Sequence, residues 1–190
     1  MERPEEEHLL KSARHGDENA FFRLFDEHNP ALFRFAFRLT GSTADAEDIV
    51  QECFLSLLQP DSAFDPGRAA VRTYLFGAVR NQALKRLRAR EISRFIVPGG
   101  KDGNSPEARV YQLELCDAVA QAVAQLPLNQ REVLVLAHYE QLPLAEVAEL
   151  LRIDLGAVKS RLQRARAALK DALADFSPSA SRCASKESRR

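Results

Sequence analysis

The stretch EVAELLRIDLGAVKSRLQRARAAL, residues 146–169, predicts two short helices joined by a tight turn. Around its start, Leu144, Val147 and Leu151 recur at the spacing of one apolar helix face. Asp154 then suits a helix N-cap, because its carboxylate can accept hydrogen bonds from the first amides of the next helix. The apolar spacing resumes after this residue, and a basic face lies opposite it. Such a layout is typical of a helix-turn-helix that places its second helix in the major groove of DNA.

The outer face of the second predicted helix carries the candidate DNA-contacting groups. They are small, amide-bearing or cationic residues: Gly156, Ala157, Lys159, Ser160, Gln163, Arg164 and Arg166. Glutamine can pair with adenine and arginine with guanine, at about 1–3 kcal/mol of discrimination per bidentate contact. The alternative interpretation is a helical hairpin with a solvated basic face. Arg152 occupies the turn position where this motif favours glycine, so a positive φ there would cost roughly 1 kcal/mol.

Composition limits the class of protein. Of 190 residues, 45% are hydrophobic and 28% charged, which is ordinary for a soluble globular chain. No apolar run approaches the length of a membrane helix, and the N-terminus is too acidic for a signal peptide. Cys53, Cys116 and Cys183 are isolated, and the four histidines are scattered, so we expect no metal site and no cofactor. We expect Cys53 to be a small buried hydrophobe, and the chain to be cytoplasmic.

Charge occurs in blocks along the chain. Residues 1–60 hold 12 acidic and 6 basic side chains, and residues 61–105 hold 4 and 9. Residues 106–150 hold 7 acidic and 2 basic side chains, and residues 151–176 hold 3 and 6. This repeated order of acid and base indicates two modules, each with one acidic and one basic surface. Because an acidic surface repels phosphate, a general polyanion binder is excluded.

Helical signals dominate the N-terminal half. The aromatic-rich segment 18–39 contains Asn29 and Pro30, which suit an N-cap and a first helical turn and therefore predict a break or kink. Gly41 ends that segment. Ser42 and Asp45, three residues apart, resemble a capping box for the next helix.

Segment boundaries follow from composition. Residues 59–67, QPDSAFDPG, predict a loop, and a basic helix is expected from about Arg68 to Arg90. We find no β-type alternation, so the expected fold class is all-α, with two small helical domains joined by a flexible linker. The expected divisions are a first domain at 1–95, a linker at 96–109, a helix-turn-helix domain at 110–176 and a disordered tail at 177–190.

Three segments resemble the bacterial extracytoplasmic-function (ECF) RNA polymerase sigma factors of the sigma-70 family. They are DAEDIVQECFLSLL (45–58), VRTYLFGAVRNQALKRLRAR (71–90) and QLPLNQREVLVLAHYEQLPLAEVAELLRIDLGAVKSRLQRARAAL (125–169). The similarity covers roughly residues 18–95 and 110–172, in the family's order. It implies a sigma region-two bundle followed by a sigma region-four helix-turn-helix.

The resemblance implies three contact surfaces. An acidic helix would dock on the polymerase β′ coiled coil through Asp45, Glu47, Asp48, Gln51 and Glu52. The following loop and basic helix would read the −10 element as separated strand through Phe64, Tyr74, Arg80, Asn81, Lys85 and Arg88. The outer face of the last helix would read the −35 duplex. A solvated helix face remains the alternative for the acidic helix, and a core position the alternative for Phe64.

The resemblance therefore implies a transcription initiation factor. Its expected partners are core RNA polymerase (β′ and β subunits), promoter DNA and an anti-sigma factor, which could hold the chain at the inner membrane. No small-molecule substrate is expected, and the absence of a phosphate loop or a nucleophile beside a base argues against an enzyme. Two alternatives stay open at this point: a polymerase-independent helix-turn-helix regulator, and a helical interaction protein that binds no DNA.

Overall fold

A computed structural model describes residues 3–67, 69–94 and 112–174 of the chain. Within these ranges the regular structure is entirely helical, as predicted. The helices are α1 (Arg3–Arg14), α2 (Glu18–Thr40), α3 (Thr43–Leu58), α4 (Val71–Arg94), α5 (Gln112–Gln125), α6 (Leu128–Leu134), α7 (Leu144–Leu151) and α8 (Leu155–Ala172). None of the described helices is long and apolar enough to cross a membrane.

Helices α1 to α4 form the N-terminal domain. α2, α3 and α4 pack on one another around fully buried Phe35 and Phe76, whose rings meet edge to face at 5.4 Å. Cys53 is also buried here as a free thiol, as expected. α1 was not assigned from the sequence, where its acidic composition conceals a short apolar face. Its Leu9 and Leu10 are buried in the same core.

The sequence predicts a break or kink at Pro30, and the structure shows no break there. α2 continues through this residue from Glu18 to Thr40. Proline removes one backbone donor from a helix interior. Buried side chains on both sides, among them Leu24 and Leu32, anchor the helix to the core and explain its continuity.

The connection between α2 and α3 has the predicted caps. Gly41 ends α2 in the left-handed conformation, with φ of 70°, and its amide donates to the Phe37 carbonyl. Ser42 caps α3, its hydroxyl accepting a hydrogen bond from the Asp45 amide at 3.3 Å. The carboxylate of Asp45 pairs instead with two arginines of α4, so only the serine half of the predicted capping box forms.

Helices α5 to α8 form the C-terminal domain. The predicted helix from Asn129 to Tyr139 is divided: α6 ends at Leu134 and a π-helical turn covers Val135–Tyr139. Val133 and Leu136 on these two segments are fully buried. α8 crosses α6 and α7 and contributes Val158 to the same core.

The helix-turn-helix is present as predicted. Arg152 adopts the left-handed conformation, with φ of 54°, so the turn carries backbone strain that a glycine would avoid. The Ile153 amide donates to the Ala148 carbonyl at 3.0 Å and closes the end of α7. Asp154 then caps α8, accepting a hydrogen bond from the Ala157 amide at 2.9 Å.

The two domains pack directly against each other. α4 contacts α7, and α2 contacts α5, α6 and the π-helical turn. The expected linker at 96–109 and tail at 177–190 lie outside the described residues. The division into domains at these boundaries therefore stays a prediction.

Candidate nucleic-acid and protein interfaces

The outer face of α8 is presented to solvent. Lys159, Ser160, Gln163 and Arg164 are exposed, while Val158 and others on the opposite face are buried. Gly156 is exposed and Ala157 half-buried at the N-terminal turn of the helix. The predicted −35 residues thus share an accessible surface, with small residues where the helix would approach base edges most closely.

Two arginines of α8 are held in defined directions. The Arg164 guanidinium donates to the Ser160 hydroxyl at 3.2 Å, one turn earlier on the helix. Arg166 lies on the flank of the face and donates to His138 Nε2 at 3.0 Å. Arg166 is therefore directed to the π-helical turn, whereas Arg164 stays on the outer face of α8. Neither forms a salt bridge within the described part of the chain.

The predicted −10 residues divide between exposed and buried positions on α4. Asn81, Lys85 and Arg88 are exposed along one face, with Tyr74 half-buried at its N-terminal end. The Tyr74 ring meets Phe64 edge to face at 5.2 Å.

Phe64 itself is only 6% exposed and belongs to the core of the N-terminal domain. Its ring supports Tyr74 from below. A direct contact of Phe64 with DNA stays a prediction. The burial of Phe64 supports the alternative that it is a core residue. The aromatic side chain with the larger exposed fraction at this end of α4 is half-buried Tyr74.

Arg80 lies on a different side of α4 from the other predicted −10 residues. Its guanidinium makes two hydrogen bonds to Glu132 of α6, at 2.6 Å and 3.2 Å. Arg72, on the same side, donates to the Glu140 carbonyl at 2.6 Å. These two cations face the C-terminal domain and not solvent.

An arginine of α4 lies across the acidic face of α3. Arg86 of α4 donates to Asp45 at 3.5 Å, Asp48 at 3.2 Å and Glu52 at 2.8 Å. Burial opposes the charge of Arg86, but the hydrogen bonds and negative charges of Asp48 and Glu52 outweigh it and raise the pKa of Arg86. Asp45 also pairs with Arg90 at 2.5 Å.

Of the five predicted docking residues, four are exposed. The Asp48 side chain is 63% exposed and the Glu52 side chain 49%. Glu47 and Gln51 are exposed as well, whereas Asp45 is partly covered. The structure therefore places an acidic surface on α3 whose charge is partly neutralised by Arg86.

Leu55 was missed from the sequence. It follows Gln51 by one helical turn, and 55% of it is exposed beside the acidic residues. A large exposed apolar side chain next to charged groups offers a protein partner apolar area to bury. The signal was available, because Leu55 falls on the polar side of the α3 helical wheel and not with Cys53 and Phe54.

Two family models match the chain in succession. Sigma-70 region 2 matches residues 24–91, and Sigma-70 region 4 matches residues 116–169. The first match contains the acidic helix and the basic helix α4. The second contains the helix-turn-helix and most of α8.

Curated relatives are similar over most of their length. The chain is 31% identical over 180 residues to the ECF RNA polymerase sigma factor SigW of Bacillus subtilis, covering 88% of this chain and 96% of that protein. It is 37% identical over 162 residues to the ECF RNA polymerase sigma factor SigM of Mycobacterium tuberculosis, covering 85% and 81%.

Two solved structures have a similar fold. One is CnrH in complex with the cytosolic domain of CnrY, with a TM-score of 0.67 and 29% identity over 91% of this chain and 99% of that chain. The other is the sigma factor RpoE in complex with the anti-sigma factor NepR from Bartonella quintana. Its TM-score is 0.66, with 26% identity over 80% of this chain and 96% of that chain.

Proposed function

Since this chain belongs to the ECF RNA polymerase sigma factors, a family of transcription initiation factors, we propose that it places core RNA polymerase on promoters through three separate surfaces. α3 docks on the polymerase, α4 reads the −10 element and α8 reads the −35 element. The observation that carries the proposal is the exposed outer face of α8, preceded in the chain by an acidic helix and a basic helix in the family's order.

The polymerase contact is assigned to α3. Asp48, Gln51 and Glu52 offer exposed polar groups, and Leu55 offers an apolar anchor beside them. We expect a basic surface of the polymerase to replace Arg86 as the partner of these carboxylates. Exposed ion pairs contribute only about 0–1 kcal/mol each, so exchanging one basic partner for another costs little free energy.

The DNA contacts are divided by chemistry. Tyr74 with Asn81, Lys85 and Arg88 offers one aromatic ring, one amide and two cations, which suit unstacked bases and the phosphates of a separated strand. The α8 face offers amide and guanidinium groups to duplex edges. Each surface alone makes few phosphate contacts, so each binds DNA weakly. Mounting both on one polymerase makes the second contact effectively intramolecular.

Run-off transcription with purified core polymerase tests the function. Genomic fragments are transcribed with core enzyme alone, with this chain alone and with both. Discrete start sites should appear only with both. Mobility shifts by the chain without polymerase, together with no gain of discrete starts, would instead indicate a polymerase-independent regulator, which the family assignment does not favour.

Retention of core polymerase on the immobilised chain tests the docking surface. The variant Glu47→Lys reverses one exposed charge on α3 and should lower retention. The matched control is Asp26→Lys, an exposed acid on α2 of the same domain. Equal loss in both variants would mean that net charge, and not the α3 surface, determines retention.

An anti-sigma partner completes the proposal. One of the two solved structures described above is a sigma factor bound to an anti-sigma factor, and the other is CnrH bound to the cytosolic domain of CnrY. We propose that a partner of this kind controls access to the surfaces of this chain in the cytoplasm. Co-purification from cells in exponential and in stationary growth, followed by mass spectrometry of the bound protein, checks this point. Recovery of core polymerase alone in both conditions would contradict it.

A further inference from the structure

Leu155, the first residue of α8, has a large apolar side chain that is 41% exposed. A single exposed leucine is common on protein surfaces and does not by itself indicate a site. The position of Leu155 makes it informative. It lies at the end of α8 that, in a helix-turn-helix, approaches the edges of the bases. It was not among the predicted −35 residues.

The first turn of α8 leaves Leu155 as its large exposed side chain. Gly156 has no side chain, Ala157 is half-buried and Val158 is fully buried in the core. Side chains on a helix lean toward its N-terminus. The methyl groups of Leu155 therefore extend past the start of α8, in the direction from which DNA would be approached.

The backbone around Leu155 is held in place by the helix cap. The Asp154 carboxylate accepts a hydrogen bond from the Ala157 amide at 2.9 Å, and the Val158 amide donates to the Asp154 carbonyl at 3.1 Å. A Cβ on Gly156 would lie 2.9 Å from Asp154 Oδ1, so glycine at this position leaves room for the cap. The direction of Leu155 is thus fixed before any DNA is bound.

The exposed side chains predicted to read the −35 element are polar. Lys159 and Arg164 offer N–H donors, and Gln163 offers an amide. Such groups recognise the N7, O6 and N6 atoms of purines. The major-groove edge of thymine carries an O4 acceptor and a C5-methyl group, and a methyl group is recognised through apolar contact. Leu155 has the apolar surface that these polar side chains lack.

We propose that Leu155 contacts the C5-methyl group of one pyrimidine in the −35 duplex, so that the chain distinguishes a methylated from an unmethylated pyrimidine at that base pair. Thymine and 5-methylcytosine both present this group at the same place in the major groove. The proposal rests on the part of the proposed function in which α8 reads duplex DNA.

The size of the effect follows from the apolar surface involved. Burying one methyl group against leucine should change affinity about fourfold, the equivalent of about 0.8 kcal/mol. Contacts with phosphates supply most of the total affinity of a DNA-binding protein. Leu155 should therefore change the relative affinity for two bases more than the total affinity.

Replacing thymine by uracil removes the C5-methyl group and leaves base pairing unchanged. The probe is the promoter fragment that gives the strongest discrete start in the run-off assay. Each thymine of its −35 region, on both strands, is replaced in turn by deoxyuridine. Filter binding then measures the affinity of the full chain together with core polymerase. If the base that faces Leu155 is thymine, its replacement should weaken binding about fourfold.

Methylation of cytosine is the second arm of the experiment. Each cytosine of the same region is replaced in turn by 5-methylcytosine, which adds the group that uracil lacks. If the base that faces Leu155 is cytosine, its methylation should strengthen binding about fourfold. The two arms together identify which pyrimidine carries the contacted methyl group. No change in either arm would overturn the proposal.

Variants of Leu155 separate this side chain from other causes of a methyl effect. Leu155→Ala removes the apolar reach and retains a residue that favours helix, so the methyl effect should disappear. Leu155→Met keeps an apolar side chain of similar volume and should retain the effect. The matched control is Phe22→Ala, which shortens an apolar side chain of α2 that is 55% exposed. This control should show the wild-type methyl effect.

Two results with these variants would overturn the proposal. One is a methyl effect of equal size in the wild type and in Leu155→Ala. The other is an equal loss of the effect in Leu155→Ala and Phe22→Ala, which would assign it to general damage and not to a contact of α8.

A separate measurement covers failure of the proposed function. If no genomic fragment gives a discrete start, the proposed function fails. Two randomised duplex libraries, one containing thymine and one containing uracil, are then passed at low salt over the immobilised full chain. Preferential retention of the thymine library by the wild type, and not by Leu155→Ala, would support the methyl contact. Equal retention of both libraries by the wild type would overturn it.

Discussion

Helices α4 and α8 are both basic in sequence, but they use their cations differently. On α4, Arg80 and Arg86 are bound to carboxylates of other helices, and Lys85 and Arg88 remain exposed. On α8, Lys159 and Arg164 form no salt bridge with any described residue. The number of cations in the sequence of a helix therefore does not give the number available to contact DNA. That number depends on which carboxylates the fold packs against the helix.

The two helices also differ in how deeply they are embedded. α4 contributes five buried residues to the N-terminal core, from Val71 to Ala83. α8 covers one side of a smaller domain with Val158, Leu162 and Ala165. Substitutions on the buried face of α4 should therefore lower the stability of the fold. Substitutions on the outer face of α8 should weaken DNA binding.

The largest expected effect is Phe76→Ala. Phe76 is fully buried and packs on Phe35, so its loss should lower the free energy of unfolding by about 3–5 kcal/mol. Denaturant unfolding followed by circular dichroism measures the change. Asn81→Ala, on the exposed face of the same helix, serves as control and should stay within about 0.5 kcal/mol of the wild type. Similar losses in both variants would contradict the assignment of α4 as a core helix.

Arg80→Ala tests the half-buried cation of α4. Among the described residues it leaves Glu132 with only Arg161 as a cationic partner, whose guanidinium lies 3.9 Å away. We expect the free energy of unfolding to fall by about 1–3 kcal/mol, the penalty of an under-paired buried group. Arg88→Ala, at an exposed position, should change it by less than about 0.5 kcal/mol. Equal changes in the unfolding free energy of the two variants would contradict the distinction between the paired cation Arg80 and the exposed cation Arg88.

Arg164→Ala tests recognition by α8. With the complete polymerase complex, it should weaken promoter binding by about 1–3 kcal/mol and relax the preference at one base pair of the −35 element. Lys159→Ala should weaken binding to all sequences alike and lower the salt slope by about 1. Filter binding over a salt series measures both. The control is Lys11→Ala, which removes an exposed cation on α1. An equal loss of promoter binding in this variant would mean that net charge, and not the α8 face, causes the effect.

The smallest expected effect is Arg152→Gly. Relief of the left-handed strain is worth about 1–2 kcal/mol, and the greater freedom of unfolded glycine offsets about 0.5–1 kcal/mol of it. We expect a net gain of about 0.5–1 kcal/mol in unfolding free energy, read from urea midpoints. Arg152→Ala retains a Cβ and should give no gain. A gain in both would point to the charge of Arg152 and not to its backbone.

Local patterns in the sequence predicted most of the helices and several of their ends, but not α1 or the π-helical turn after α6. Gly41, Ser42 and Asp154 act on groups within four residues of themselves, and all three have the predicted roles. Pro30 was misread because its local preference for a first turn is weaker than the packing of side chains on both sides of it. The same reason applies to Arg152, which the turn holds in a conformation that its own backbone disfavours.

The sequence by itself determined the all-helical class and the exposed outer face of α8, because each depends on spacing within single helices. It also determined the family, through three segments that resemble it in the same order. Only the tertiary structure decided that Phe64 is buried beneath Tyr74, that Arg86 spans three carboxylates of α3, and that Arg80 faces Glu132. Arg80 and Glu132 are 52 positions apart in the chain. Helical periodicity carries no information over such separations, and the partner of a charge is set by how whole helices pack.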